Sequence, residues 1–482
     1  MGMKLLDLEG VTTGTPVTKK LLVSVVLSTV LFFVCQALPL EKYGESTSTA
    51  LGFLVFIITL MILAPVPIAI PSFLIVLGGV YFGFWDFAAV MTTFGKSSFL
   101  PIMGMTIVAL GCEFTPFGKR LAFIALRRFS NNPVKLVLVI SIVAAILSAF
   151  CSNVAVIIMF SGTCAGMLHA MGEKPGESKL GKTLMLVITM ASCVGGMALI
   201  SGSPTGNTNA IKFMSAASGE LYTVGYFQWA VLGSLCMAVC IVPFTLIYIK
   251  ATGLKKTDMM PVTAEYLENA SKELGHLSGA EIRWIIIVAG MVITMLSGMN
   301  TAQAALLFAL ISMLPVIGTV PAAEAFKRLP IQMMVAMGFV NLMSGLFSNT
   351  GLGDLMGALI RPLMQDMGPL PFSIACALIT GLLINVFVNA QTAAYALTLS
   401  MFTPACINLG YNPSIVLLPT MFISSYFFCM GPNAICLLNR GYGYWKMQEP
   451  MLPGFIVVVL GSIIFPVICF FVGPLIGMAI YL

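Results

Sequence analysis

The chain has 482 residues, of which 59% are hydrophobic and only 9% are charged, whereas about 25% of the residues of an average soluble domain are charged. Apolar stretches long enough to cross a hydrocarbon core about 30 Å thick recur along the sequence, and they are continuous rather than alternating. This composition excludes a soluble protein and a transmembrane β-barrel. It predicts an all-α polytopic membrane protein.

The first predicted span is the apolar run Leu21–Leu40, which follows Lys19 and Lys20. It is longer than a signal-peptide core and no small-residue cleavage site follows it, so we expect a retained helix. Together with ten further apolar stretches, this span predicts that the chain crosses the membrane about eleven times. The other predicted spans are 50–64, 68–84, 99–113, 183–200, 224–249, 284–298, 303–320, 331–348, 413–430 and 452–480. The tryptophans fall at predicted span ends, where an interfacial aromatic belt would place them: Trp85, Trp229, Trp284 and Trp445.

The positive charges predict the orientation of the chain in a cell (plasma or inner) membrane. With the N-terminus in the cytoplasm, all but four of the 24 lysines and arginines fall on the cytoplasmic side, as the positive-inside bias requires. The exceptions are Lys42, Lys96, Lys212 and Arg361. An odd number of crossings places the C-terminus outside. The net charge of +6 therefore reflects orientation, and we expect no nucleic-acid partner.

A polar stretch at 251–283 is predicted to be a cytoplasmic linker between two repeats, 1–250 and 284–482. In the first repeat, the apolar block 134–168 would be about 50 Å long as a single helix, which exceeds the membrane thickness. Its polar break is Cys151-Ser152-Asn153. The block is therefore predicted to be a re-entrant helical hairpin with this tripeptide at its tip.

The second repeat carries the same pattern. The block 370–407 has Asn385 and then Asn389-Ala390-Gln391-Thr392 near its middle, which predicts a second re-entrant hairpin. Each hairpin is followed by a predicted broken helix, unwound near 201–209 in the first repeat and near 430–433 in the second. An odd number of crossings separates the copies, so we expect inverted repeats, as in many secondary transporters.

Broken helices at membrane depth predict an ion-binding site. A half-helix N-terminus presents free N–H groups to an anion, while unwound carbonyls and side-chain oxygens suit a sodium ion. Apart from Glu113, near a span end, no acidic residue lies deep in a predicted span, which disfavours a carboxylate-based proton or metal pump. A single Ser-Asn pair in a membrane helix more often contributes to helix–helix packing than to a binding site, and a single Gly-Pro pair more often only kinks the helix. Two matching pairs of breaks favour a binding site.

At these breaks the sequence resembles the divalent anion:sodium symporter family of the ion-transporter superfamily, over about residues 50–475. That family has a Ser-Asn-Thr tip on each hairpin and a Gly-Thr-Pro-Pro-Asn-like unwound segment after it. The first tip departs from the motif at Val154, and the second has Asn389-Ala390-Gln391 in its place. Residues 148–154 resemble the first tip. The first unwound segment is resembled by residues 182–196, 201–204 and 209–211, and the second, with its Gly-Tyr tail, by residues 431–435 and 441–444.

The resemblance implies site residues, a coupling ion and an architecture. It implies a homodimer in which a transport domain moves like an elevator against a fixed scaffold, with Na⁺ as the coupling ion. The implied substrate contacts are Ser152, Asn153, Val154, Asn389, Ala390, Gln391, Thr392 and Pro432. The implied sodium ligands are Ser148, Ser152, Asn153 and Gly202 at one site, and Asn385, Val388 and Ala390 at a second.

The leading functional hypothesis is a sodium-coupled transporter of a small anion, either a di- or tricarboxylate or sulfate. A sodium-independent exchanger that swaps one anion for another is the alternative. An intramembrane enzyme is a remote alternative, because the sequence offers no HExxH motif, no intramembrane histidine and no aspartate pair. A passive channel is disfavoured, since the breaks do not form a ring around a pore.

Overall fold

The computed structural model describes residues 19–63, 69–96, 99–129, 132–256, 258, 275–329, 331, 334, 342–355, 358, 367–386, 391–424 and 438–482. These residues form helices and turns with no β-strand. In the first half the helices are α1 (Lys19–Gln36), α2 (Thr47–Leu63), α3 (Ala69–Tyr81), α4 (Phe87–Lys96), α5 (Phe99–Leu110), α6 (Phe117–Phe129), α7 (Pro133–Phe150), α8 (Asn153–Ala170), α9 (Lys179–Gly196), α10 (Pro204–Ala217) and α11 (Tyr226–Thr252). In the second half they are α12 (Gly279–Leu296), α13 (Thr301–Met313), α14 (Ala322–Arg328), α15 (Leu342–Asn349), α16 (Pro369–Val386), α17 (Gln391–Asn408), α18 (Pro413–Val416), α19 (Leu418–Ser424) and α20 (Met451–Val472).

The helices have the length and apolar composition of a polytopic membrane protein. Among the described residues, five helical segments are long and apolar enough to cross a membrane: α7, α8, α11, α12 and α20 with the 3-10 turn that follows it. Shorter apolar helices include most of α1, α2, α3, α5, α13 and α16. The all-α membrane fold is thus confirmed, while the number of crossings stays a prediction.

The first long apolar block folds as two helices joined by a two-residue turn. α7 ends at Phe150, α8 begins at Asn153, and Cys151 and Ser152 between them have extended backbones. Each helix has 18 residues and is about 27 Å long. In the second block, α16 ends at Val386 and α17 begins at Gln391, and residues 387–390 lie outside the described residues. Re-entry of either pair into the membrane stays a prediction.

The break after the first hairpin lies earlier in the chain than the sequence indicated. The helix is interrupted at 197–203, and α10 begins at Pro204, so residues 204–209 are helical and not unwound. Proline is favourable at the first position of a helix because its fixed φ suits the helix and its missing N–H needs no partner. The corresponding prediction at 430–433 lies outside the described residues.

Three described helices were not predicted, because they are short or amphipathic and do not form long continuous apolar stretches: α4, α6 and α14. α6 has an apolar face on which Phe123 is buried against α7 and α8, and its other face carries Lys119. α14 is short and carries Glu324, Lys327 and Arg328.

The tryptophan side chains are buried inside the protein, whereas an aromatic belt would have them face the lipid headgroups. Their depth in the membrane stays a prediction. Their exposed fractions run from 0% at Trp229 to 8% at Trp85. The Trp229 indole N–H donates to the Met197 carbonyl at 2.9 Å, and that of Trp284 donates to the Val108 carbonyl at 3.1 Å. These partners are carbonyls at or near helix ends, where an indole donor satisfies backbone groups that have no intrahelical partner.

Helices from both halves pack around the first hairpin and the broken helix. α7 and α8 lie against α9, and α11 lies against α7, α9 and α20. α10 packs on α17, where the rings of Phe213 and Tyr395 have centroids 5.9 Å apart. On another side, α5 packs against α13, and a separate small apolar cluster joins α5, α13 and α14.

A buried ion pair joins the first half to the start of the second. The Arg120 guanidinium donates to both carboxylate oxygens of Glu281, at 2.9 and 3.1 Å, and to the carbonyls of Gly275 and His276. Glu281 also accepts from the Ser278 backbone N–H, while the Ser278 hydroxyl accepts from the Glu281 N–H, which forms a capping box at the start of α12. α6 is therefore fastened to the start of α12 and to the residues just before it.

Removing one partner of this pair should destabilise the protein. The Glu281 side chain is fully buried, so Arg120→Gln leaves a buried carboxylate without its counter-charge, which typically costs about 3–5 kcal/mol. Thermal unfolding in detergent should show a clear fall in Tm for Arg120→Gln. The matched control is Lys327→Gln, which breaks a surface ion pair with Glu324 and should leave Tm almost unchanged. Equal Tm values for the two variants would contradict the structural role of Arg120.

Candidate functional site

The turn between α7 and α8 exposes the N-terminus of α8. Ser152 is the N-cap residue, but its side chain makes no capping hydrogen bond. The first intrahelical bond in this turn runs from the Val156 N–H to the Ser152 carbonyl. The preceding N–H groups of α8 therefore have no intrahelical acceptor. This end of α8 is a positive pole without a side-chain cap, as an anion site requires.

The break between α9 and α10 is stabilised by specific side chains. The Asn207 amide donates to the carbonyls of Gly196 at 2.9 Å and Leu199 at 2.8 Å. The Ser201 and Tyr226 hydroxyls are hydrogen-bonded at 3.1 Å. Because buried backbone carbonyls are costly without a donor, these contacts hold the chain unwound at a defined place.

The hairpin tip and the break are in direct contact. The Ser148 hydroxyl lies 2.8 Å from both the Asn153 side-chain oxygen and the Ser192 carbonyl. The Asn153 side chain lies against Gly196, where a Cβ atom would overlap it. Asn153 is 5% exposed and Ser148 is fully buried, so both polar groups lie inside the protein.

Backbone oxygens converge on Gly202. A Cβ atom at this position would lie 2.8 Å from the Ser148 carbonyl oxygen, 2.9 Å from that of Gly196 and 3.0 Å from that of Ala149. These carbonyls belong to the C-terminal ends of α7 and α9, which are the negative poles of those helices. With the side-chain oxygens of Ser148 and Asn153, they form a group of neutral oxygen donors of the kind that suits a small hard cation.

The N-terminus of α10 completes the arrangement. Its N-cap, Ser203, makes no side-chain capping bond, and Pro204 follows it. The Thr208 hydroxyl in the first turns of α10 is buried and has no hydrogen-bond partner. Two negative helix ends and two positive ones thus meet within one small region, where a cation and an anion can be stabilised side by side.

The structure brings together the site residues predicted in the first half. Ser148, Asn153 and Gly202 meet at the contact between tip and break, with Ser152 at the turn. Val154 is in the first turn of α8 and is 38% exposed. The sequence prediction did not assign roles to Ser192, Gly196, Asn207 and Thr208, although the pair Gly195-Gly196 ahead of a proline was a signal for the helix break.

The predicted residues of the second half remain untested. Asn385 lies in α16, and Gln391 and Thr392 begin α17, but their side chains are outside the described part of the structure. Four further predicted site residues lie outside the described residues altogether: Val388, Asn389, Ala390 and Pro432.

Asn439 connects the segment after the second predicted break to the first half. Its fully buried amide nitrogen is within hydrogen-bonding distance of the Met185 carbonyl at 2.7 Å, the Thr189 hydroxyl at 3.1 Å and the Ser161 hydroxyl at 3.2 Å. Its oxygen accepts from the Trp445 indole N–H at 3.0 Å. Asn439 thereby fastens the chain at 438–445 to both α8 and α9.

An ion pair fixes the following turn. Lys182 of α9 is hydrogen-bonded to Glu449, which also accepts from the Lys446 backbone N–H. Burial disfavours the charged form of Glu449, but these hydrogen bonds and the two lysine charges outweigh it and hold the pKa of the carboxyl below its usual value. The contribution of this pair to stability is present above the ordinary glutamate pKa and is lost as the pH falls through the lowered one.

Comparison with known proteins gives a consistent result. A family model described as the transmembrane region of sodium:sulfate symporters matches residues 18–479, nearly the whole chain. The chain is 22% identical over 484 residues to a Staphylococcus aureus (strain bovine RF122 / ET3-1) protein named sodium-dependent dicarboxylate transporter SdcS, covering 93% of this chain and 89% of that protein. Its fold is similar to the crystal structure of the Alcanivorax borkumensis YdaH transporter, with a TM-score of 0.54 and 14% identity, over 81% of this chain and 89% of that chain.

The oxygen group around Gly202 generates a prediction. Gly202→Ala places a methyl group against three carbonyl oxygens, so we expect the oxygens to separate and sodium-dependent activity to fall by about tenfold or more at a given sodium concentration. The control is Gly279→Ala, where the added methyl group makes ordinary contact with Arg283. Sodium dependence of uptake would be measured for both variants. An unchanged sodium curve for Gly202→Ala would remove this region as a cation site.

Proposed function

The chain belongs to the sodium:sulfate symporter family, as its resemblance at the hairpin tips and breaks predicted, and we propose that it is a secondary active transporter that carries a small dianion together with sodium ions. It is a membrane transporter and not an enzyme. The observation that carries the proposal is the contact between the α7–α8 tip and the α9–α10 break. There, neutral oxygens and uncapped helix N-termini lie next to each other.

The proposed anion is a di- or tricarboxylate or sulfate, held by hydrogen-bond donors and not by a fixed positive charge. Ser152, Asn153 and Val154 would contact it from the first tip. The implied second-half contacts are Asn389, Ala390, Gln391, Thr392 and Pro432. Because the relative from S. aureus is named a dicarboxylate transporter, a four-carbon dicarboxylate is the first substrate to test.

The proposed coupling ion is sodium. Ser148, Ser152, Asn153 and the Gly202 backbone would hold one ion, and Asn385, Val388 and Ala390 a second. Cotransported sodium ions would offset the electrical cost of moving the anion, because moving one net charge across 100 mV is worth about 2.3 kcal/mol. A dianion that moves against an inside-negative potential needs at least two sodium ions to avoid this cost.

The proposed architecture is a homodimer in which each chain has two inverted repeats, 1–250 and 284–482, and works as an elevator. The N-terminus would be cytoplasmic and the C-terminus outside, in the plasma or inner membrane. Two observations support a moving bundle: α10 and α11 pack on α17, α19 and α20, and parts of α5, α13 and α14 share a separate apolar cluster.

A second candidate function is sodium-independent exchange of one anion for another. The sequence of the second tip favours it, because Asn389-Ala390-Gln391 offers no hydroxyl where the family motif has serine and threonine. Uptake of labelled succinate, malate, citrate, 2-oxoglutarate and sulfate into proteoliposomes separates the candidates. Symport requires a sodium gradient and proceeds into empty vesicles, whereas exchange requires internal anion and no sodium.

Asn153→Ala should abolish uptake of the transported anion in this assay. The side chain joins the hairpin tip to Ser148 and Gly196, and its loss removes both an anion donor and a cation ligand. Asn153→Asp should be as damaging, because a buried carboxylate would repel the dianion. Asn408→Ala, at an exposed position at the end of α17, is the matched control and should transport normally. Wild-type uptake by a well-folded Asn153→Ala variant would refute the assignment.

The inverted repeat predicts opposite accessibility of the two hairpin entrances. With native cysteines replaced, single cysteines introduced at Asn132, ahead of α7, and at Gly368, ahead of α16, should react with a membrane-impermeant thiol reagent from opposite sides. Intact and inside-out vesicles provide the two sides. Labelling of both positions from the same side would exclude the inverted arrangement.

A further inference from the structure

A cavity of about 570 Å³ runs along α8 beside the candidate site. One wall is formed by α8, and the facing wall by the segment between α5 and α6, the start of α6, and the end of α14. The cavity residues on α8 extend from Ala155 to Thr163, a distance of about 12 Å along the helix. Its inner end therefore begins two residues after Asn153.

A second contact places the inner end of the cavity at the hairpin tip. Cys112 lines the cavity, and its side chain lies close to that of Cys151 in the α7–α8 turn. The cavity is also lined by Lys119 and Arg328, which the charge distribution of the sequence assigns to the cytoplasmic side. The cavity thus leads from the predicted cytoplasmic side to the candidate anion site.

The lining of the cavity carries two cations and one carboxylate. The Arg328 guanidinium donates to Glu113 at 2.9 Å and lies over the Phe114 ring, 4.7 Å from its centroid. Lys119 is exposed to the cavity and makes no salt bridge with any described residue. The excess of positive charge in a cleft with low-dielectric walls raises the local concentration of anions.

A buried hydroxyl without a partner lies in the same cavity. Thr115 is 5% exposed, and its hydroxyl makes no hydrogen bond. Buried polar atoms are satisfied in the great majority of cases, so the Thr115 hydroxyl is available to donate a hydrogen bond to an anion bound in the cavity. Thr115, Lys119 and Arg328 together offer the donors that a carboxylate or sulfate needs.

We propose that this cavity is a second anion-binding site, in which Thr115, Lys119 and Arg328 hold the transported dianion between the cytoplasm and the hairpin tip. The identity of the anion rests on the proposed function. Glu113 acts as an internal competitor, because its carboxylate occupies Arg328 when no anion is present. Both side chains of that pair are partly solvated, at 44% and 32% exposure, and such pairs are weak enough to exchange partners.

The electrostatic part of the proposal is tested without any substrate. A single cysteine is introduced by Ile158→Cys, at a cavity position that is 52% exposed, with native cysteines replaced. The rates of its reaction with an anionic and a cationic methanethiosulfonate reagent are compared. Lys119→Gln and Arg328→Gln should each lower the anionic-to-cationic rate ratio about tenfold, and Glu113→Gln should raise it. Lys327→Gln, which removes a neighbouring cation outside the cavity, is the matched control and should leave the ratio unchanged.

The binding part of the proposal is tested by substrate protection. Succinate or sulfate should slow modification at position 158 even when Asn153→Ala has removed the deeper site, and adding Arg328→Gln should abolish this protection. Equal rate ratios in all cavity variants and the Lys327→Gln control would overturn the proposal, as would the loss of all protection in Asn153→Ala alone.

The proposed transport function can be refuted by experiment while the second anion-binding site is upheld. A wild-type protein that transports no dianion, but whose cavity shows the predicted rate ratios and protection by sulfate, would retain the anion site and lose the transport assignment. Because Glu113→Gln and the two cation substitutions should change the rate ratio in opposite directions, a misfolded variant cannot produce the expected pattern.

Discussion

The site depends on one constraint, which is that backbone carbonyls freed in the interior of a membrane protein must find partners. The break between Gly196 and Pro204 frees several of them. Asn207 satisfies those of Gly196 and Leu199, and Trp229 satisfies that of Met197. The Gly196 oxygen also lies beside Gly202, together with the Ser148 and Ala149 carbonyl oxygens at the end of α7. These oxygens supply part of the ligand set of a small cation, and a cation bound here would complete its coordination with them. The unwound segment therefore interrupts the helix hydrogen bonds and, by doing so, supplies the oxygens of the proposed binding site.

Close approach of α7 and α9 makes this arrangement possible. At Gly195 and Gly196 a side chain would overlap the Ala145 backbone and the Asn153 amide. The two glycines therefore let the end of α9 lie directly against α7. With larger residues there, side chains would separate the break from the hairpin tip. Ser148 then bridges the two elements with one hydroxyl. Small residues here serve the site as well as the packing between helices.

The sequence predicted the features that polar residues within apolar stretches indicate. A Cys-Ser-Asn tripeptide in a 35-residue apolar block located the turn between α7 and α8 correctly, because no single helix of that length fits a membrane. The unwound segment was placed too late, since polar Thr205–Asn209 form a helix while apolar Met197–Ile200 do not. Amphipathic α6 was not predicted because its apolar residues lie on one face of the helix and do not form a continuous run. The burial of the tryptophans was not predicted because position in a span does not show which side chains have carbonyls to bind.

Contacts between the halves bear on how the proposed transporter would move. Asn439 fastens the segment after the second predicted break to α8 and α9, and α10 packs on α17. Buried hydrogen bonds of this kind are costly to break, so a movement that separated the two breaks would be opposed. Across the cavity, by contrast, α8 faces α14 and the α5–α6 segment over open volume, and the pair Arg328–Glu113 there is partly solvated. Of these boundaries, the cavity is where a shift costs least, and the charges that would guide an anion lie along it.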